Sequence, residues 1–153
     1  MSEIAHSIKG TFIFKTNARN QFHPYEILNY TENPTLIVPL RRTSEGMEKL
    51  LDQHGFNLKN TYYIDIITKH INSALENKNT KYLQQINLKD LHNEIEETLE
   101  KIGPGPKTLI IDDLHCIIPH KGELKTKRFI DRLCKRTEGK LTKTLILTNS
   151  RRL

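Results

Sequence analysis

The sequence predicts a three-layer α/β/α fold around a mainly parallel sheet of five strands. Two observations carry that prediction. Five short apolar runs recur along the chain: TFIF (11–14), TLIVPL (35–40), TYYIDII (61–67), TLIID (108–112) and TLILTN (144–149). Most are continuous rather than alternating, the pattern of strands covered on both faces. Helical segments with their own start and stop residues lie between them. Strand–helix alternation of this kind builds a doubly wound sheet with right-handed crossovers. A chain of 153 residues suits one domain, 1–153, with a core that needs no disulfide or metal.

The segment HPYEILNY (23–30) puts Pro24 at a first helical position, where its missing N–H costs nothing. TSEGMEKLLDQHG (43–55) opens on Ser/Thr caps and stops at Gly55, with Met47, Leu50, Leu51 and His54 on its inner face. TKHINSALEN (68–77) is a shorter helix candidate, and ENKNTKYLQQ (76–85) is polar enough for a loop or insertion. NLKDLHNEIEETLEKIG (87–103) has the clearest helical period: Asn87 can cap it, Asp90 sits in its first turn, and Leu88, Leu91, Ile95, Leu99 and Ile102 recur on one face. KGELKTKRFIDRLCKRTEG (121–139) is the last helix, closed by Gly139.

Composition excludes several classes. No apolar run approaches the ~20 residues of a membrane span. The start MSEIAHSIKG lacks a signal-peptide core, and two cysteines, Cys116 and Cys134, do not make a disulfide framework. A cytoplasmic protein is expected. The net charge of +6 is unevenly placed. Residues 1–120 carry 13 Lys/Arg against 15 Asp/Glu, and residues 121–153 carry 11 against 3. Such asymmetry favours an acidic partner, with solvating lysines as the plain alternative.

In doubly wound sheets the ligand site lies beyond the carboxyl ends of the strands. Here those ends are Lys15-Thr16, Arg41-Arg42, Asp65, Asp112-Asp113 and Thr148-Asn149. A strand ending in Asp is half of a nucleotide hydrolase's phosphate and magnesium machinery; the other half is a glycine-rich loop ending in Lys-Ser/Thr. GPGPKT (103–108) has the glycines and a Lys-Thr, but it leaves a helix and enters a strand. A phosphate loop does the reverse, so that a helix N-terminus meets the anion. Pro104 and Pro106 also remove two N–H donors. The segment reads as a helix stop and a rigid turn. Where the loop belongs, after the first strand, the chain reads KTNARNQFHPYEI, with no glycine.

Three stretches carry a family likeness: PTLIVPLRRTSEGMEKLLDQHGFNLKNTYYID, INLKDLHNEIEETL and KTLIIDDLHCIIPHKGELKTKRFIDRL. Together they resemble the RecA-like ATPase core, specifically short archaeal KaiC-like proteins described as RecA-superfamily ATPases implicated in signal transduction. The likeness runs over roughly residues 11–150. It implies the strand order 3-2-4-5-1 among the five runs. It also implies that Asp112 matches the Walker B aspartate that holds magnesium, that Asp113 takes the next position, and that Thr148-Asn149 falls where such proteins sense the γ-phosphate. The family's Walker A has no match, and its catalytic glutamate would fall near Arg41-Arg42. The extra C-terminal strands of full RecA-type domains are not expected.

Each candidate has a plainer reading beside it. Asp112 and Asp113 are relic nucleotide or magnesium ligands, or ordinary turn residues. Asp65 suits a capping role better than a ligand role. His115, Cys116 and His120 are too few for a zinc site, and Cys116 suits a small buried hydrophobe. In the last helix Thr126, Ile130, Leu133, Cys134 and Thr137 gather on one side. Lys121, Lys125, Arg128, Arg132, Lys135 and Arg136 gather on the other, as a solvated face or a basic patch for a partner or nucleic acid. The expectation is a non-catalytic RecA/KaiC-like domain, a pseudo-ATPase with no resident cofactor or metal. It would act through a protein partner or paralogue, not a membrane. Alternatives are an accessory nucleic-acid-binding protein and a chain that still binds ATP and Mg2+ at an atypical phosphate site.

Overall fold

A computed structural model describes residues 3–8, 10–17, 19–68, 79–83, 87–117, 121–138 and 142–148, with backbone alone for 3–8 and 136–138. Among the described residues seven strands form one sheet: β1 (Glu3–Ile8), β2 (Thr11–Lys15), β3 (Thr35–Pro39), β4 (Thr61–Asp65), β5 (Thr80–Tyr82), β6 (Lys107–Asp112) and β7 (Thr142–Thr148). Their order is β1-β2-β7-β6-β3-β4-β5. Six are mutually parallel, and β1 alone runs antiparallel, against β2. The five sequence-predicted strands occupy the five central places in the expected order.

The expected count of five is corrected to seven, by one strand at each edge. Glu3–Ile8 carries charge and polar residues, and Thr80–Tyr82 is three residues inside a polar segment expected to be a loop. Edge strands are held by backbone pairing on one side and need no apolar run of their own. Central strands do: β3 and β6 are buried at every position.

Among the described residues three α-helices flank the sheet: α1 (Ser44–Gln53), α2 (Leu88–Ile102) and α3 (Glu123–Glu138). The 23–30 segment forms a 3-10 helix, His23–Asn29, with Pro in its first turn. Thr43 caps α1 by accepting from the Gly46 N–H, and Asn87 caps α2 by accepting from Lys89 and Asp90. The short helix expected over 68–77 lies almost wholly outside the described residues.

Alternation along the central strands divides the core into two layers. Leu36 and Val38 of β3, Leu109 and Ile111 of β6 and Ile146 of β7 pack toward α2 and α3, against Leu91, Ile95, Phe129 and Leu133. Ile37, Ile110, Leu145 and Leu147 face the other way, toward Tyr25, Leu28, Met47 and Leu51. The architecture is α/β/α, with the 3-10 helix and α1 on one face and α2 and α3 on the other. His54 departs from its expected inward placement: it is exposed, its ring lies 4.2 Å from that of Phe22, and Nδ1 lies 2.8 Å from the Leu50 carbonyl oxygen. Among the described residues no helix is long and apolar enough to cross a membrane.

Candidate functional site at the carboxyl ends of the strands

Asp112 ends β6, paired with Pro39 of β3 on one side and Leu147 of β7 on the other. This places it at the centre of the sheet's carboxyl edge, where the sequence expects a ligand site. The carboxylate is 6% exposed, and Oδ2 accepts a 2.7 Å hydrogen bond from the Tyr25 hydroxyl. Tyr25 is fully buried. It belongs to the 3-10 helix that follows β2, in the position where a phosphate loop would lead into its helix. Burial pushes the Asp112 carboxyl above its ordinary value, against the lowering effects of the Tyr25 hydroxyl and the Arg41 guanidinium. Burial and the neighbouring Asp112 carboxylate likewise hold the Tyr25 hydroxyl well above the usual phenol range.

The loop between β2 and the 3-10 helix is closed on itself. Asn17 Oδ1 accepts from the Arg19 and Asn20 N–H groups, and the Asn17 N–H donates to Asn20 Oδ1. Three backbone N–H groups that a phosphate cradle would leave pointing outward are thus spent on local turns. Arg41, just beyond β3, bridges this loop to the strand ends. Nη2 donates to Gln21 Oε1 at 2.7 Å, and Nη1 lies 3.8 Å from Asp113 Oδ2. Asp113 is 3% exposed, and its Oδ1 accepts from the His115 N–H to start a one-turn 3-10 helix, Leu114–Cys116. Arg42 follows, and its Nη1 is buried without a hydrogen-bond partner among the described residues.

Asp65, at the end of β4, is a capping residue, as its plainer reading expected. It is fully buried, and Oδ2 accepts from the Ser44 N–H, the Ser44 hydroxyl and the Thr68 hydroxyl. Oδ1 accepts from the Ile67 and Thr68 N–H groups. Burial alone would raise this carboxyl, but the donors from Ser44, Thr68 and Ile67 outweigh it and hold it below its ordinary value. All of its acceptor capacity goes to the fold.

GPGPKT is a turn at the opposite end of the sheet, ahead of β6. Gly103 and Gly105 have φ of 121° and 101°, conformations that side-chain-bearing residues rarely adopt. The Lys107 ammonium curls back to the Gly105 carbonyl oxygen at 3.3 Å. A polar cavity of about 320 Å³ opens at that same end, lined by Thr31, Asn33, Asn57, Lys59 and Asn60 among others. It lies at the amino ends of β3 and β4, across the sheet from Asp112.

The structure brings Asp112 and Asp113 together with Arg41, Arg42 and Tyr25; Asn149 lies outside the described residues. Tyr25 was not legible as a site residue. Its signal is a tyrosine in the segment after the first strand, since a buried tyrosine hydroxyl needs a polar partner. His115 and Cys116 lie beside Asp113, and His120 lies outside the described residues. No group of three or more His, Cys, Asp or Glu residues among the described ones is placed to hold a metal ion. Cys116 and Cys134 are half-buried and packed against the α2–α3 side of the core.

The basic residues of the last helix divide. Lys125, Arg128, Arg132 and Lys135 are exposed on α3, opposite its buried Thr126, Ile130 and Leu133. Lys121 precedes α3, separated from it by Gly122. The Arg136 and Thr137 side chains lie outside the described residues, and Phe129, 2% exposed, joins the buried face.

No family model matches the sequence, and no curated protein matches it. Among solved structures, the KaiC-like protein PH0186 from the hyperthermophilic archaeon Pyrococcus horikoshii OT3 is similar, with a TM-score of 0.60 and 15% sequence identity. The match covers 90% of this chain and 59% of that one, so this chain spans about three-fifths of its neighbour's length. At that identity the likeness carries the fold, an α/β sheet similar to the RecA-like core.

Proposed function

We propose that this chain is a non-hydrolysing RecA/KaiC-like domain that works through contacts with another protein, as a regulator or scaffold of an active relative. The observation that carries this reading is the Tyr25–Asp112 hydrogen bond. A Walker B aspartate works by presenting a free carboxylate to magnesium or its water. Here that carboxylate is buried under a tyrosine supplied by the very segment that would otherwise cradle the phosphates. The glycine-free loop, with its asparagine side chains bonded to its own backbone, supports the same conclusion. The polar cavity on the far side of the sheet gives Asp112 no access to a bound nucleotide.

Two measurements test the reading. Purified protein with saturating ATP and magnesium is expected to release no phosphate and to show no ligand-induced stabilisation. A ligand at 100 times its dissociation constant would stabilise it by about 2.7 kcal/mol, a plain thermal shift. ATP turnover that disappears in Asp112→Asn would overturn the proposal. The second measurement is the ATP turnover of an active RecA-like protein from the same cell, with and without this chain. A change in rate supports regulation through protein contact.

A further inference from the structure

The outer row of α3 has no role in the carboxyl-end site. Lys125, Arg128, Arg132 and Lys135 are all exposed, at spacings of three and four residues, so they form one straight line along the helix. The line is about 15 Å long at 1.5 Å per residue. The ion pairs among the described residues are Arg41–Asp113, Glu45–Lys49, His92–Glu96 and Glu123–Lys127, and none involves this row. Within the row, successive neighbours carry the same charge: Lys125 with Arg128, Arg128 with Arg132, and Arg132 with Lys135. Like charges at these spacings destabilise a helix. The contrast lies on the same helix, where Lys127 sits 3.7 Å from Glu123, and on α1, where Lys49 sits 3.2 Å from Glu45. The Glu45–Lys49 and Glu123–Lys127 pairs offset opposite charges at a four-residue spacing, whereas this row keeps its repulsion. Arg132 Nε donates to the Arg128 carbonyl oxygen at 3.4 Å. Asp131, exposed beside the row, is a flanking acid among the residues whose side chains are described.

We infer that this row is a docking surface for the sugar-phosphate backbone of nucleic acid. A protein interface of ordinary type has an apolar, aromatic-rich centre and few charges there. This row has four charges, no aromatic and no apolar centre; Leu124, 62% exposed, lies at its margin. A straight cationic line suits instead a linear polyanion with regularly repeated charge, which a duplex presents at one charge per ~1.7 Å of axis. The lack of aromatics excludes base stacking, and the lack of a recognition element excludes base readout. Binding is therefore to the backbone and indifferent to sequence.

The test is fluorescence anisotropy with a labelled DNA duplex of about 20 base pairs, titrated at several salt concentrations between about 50 and 200 mM. Four cations on phosphates give a slope of log K against log salt of about −3.6. Arg128→Glu with Arg132→Glu is expected to weaken binding at the lowest salt at least tenfold and to flatten the slope by about 1.8. Lys125→Glu with Lys135→Glu is a second, independent pair with the same expected result, should the first pair fold poorly. Lys49→Glu, on α1, is expected to change neither affinity nor slope. No binding of the duplex at the lowest salt would overturn the inference, as would equal affinity in both folded double variants. Preferential capture of polyglutamate over the duplex would also overturn it, by assigning the row to an acidic protein.

Discussion

Tyr25 and Asp112 lie 87 positions apart in sequence and 2.7 Å apart in space, joined phenol to carboxylate in the buried centre of the sheet's carboxyl edge. The contact ties the segment after β2 to the end of β6. It therefore couples the amino-terminal part of the chain to the central strand β6. Tyr25→Phe keeps the ring's shape and removes only the donor. A buried carboxylate that loses a donor costs about 1.5–3 kcal/mol. Urea denaturation at pH 7 is expected to show that loss, with the m-value unchanged. A variant as stable as the parent would mean that the hydroxyl does not hold Asp112.

Asp112 carries a pH signature of its own. Burial raises its folded-state value above the unfolded one. The folded chain then binds that proton more tightly than the unfolded chain does. Its contribution to stability is fully present below the unfolded carboxyl range and is lost as pH rises through the folded value. Asp112→Asn removes the buried charge and leaves an oxygen to accept from Tyr25. The variant is expected to be more stable than the parent at pH 7, with the gap closing in acid. Thermal melts across that range check the sign, and a variant less stable than the parent at pH 7 would contradict it.

Asp65 behaves in the opposite sense. Its folded-state value is held down, so its contribution is present above the unfolded carboxyl range and is lost as pH falls through the folded value. Asp65→Asn replaces a two-oxygen acceptor of five donors by one with a single oxygen. Leaving buried donors without partners costs about 3 kcal/mol or more in total. The two aspartates, both at strand ends, are thus expected to answer the same substitution with opposite signs, read side by side in one set of melts.

The central sheet was legible because its strands are mostly buried on both faces and so carry near-continuous apolar runs, with β3 and β6 buried at every position. The order of those strands came from the family resemblance, because apolar runs alone do not say which strand pairs with which. The edges were not legible: β5 has the exposure pattern of a loop and is held by backbone bonds to β4. Asp112 was found as the polar end of a buried strand. Tyr25 was missed because the hydrogen bond that defines it is made across the sheet, and nothing local in HPYEILNY marks which tyrosine turns inward. Tyr30, five residues on, is 85% exposed.

The resemblance of GPGPKT to a phosphate loop yields the last prediction. Gly103 and Gly105 stand at positive φ with nothing within 4 Å of where a Cβ would sit. Their substitution therefore meets backbone strain and no clash. Gly103→Ala and Gly105→Ala are each expected to cost about 1–3 kcal/mol. Lys107→Ala removes only a 3.3 Å contact to the Gly105 carbonyl oxygen and is expected to cost less than either glycine change. A phosphate loop would rank them differently: its lysine would govern the response to ATP and its glycines would tolerate little of either kind. Measuring stability and ATP response on all three variants separates the cases. A thermal shift with ATP and magnesium that is present in the parent and lost in Lys107→Ala would restore the phosphate-loop reading of the segment and remove the turn reading argued from its geometry.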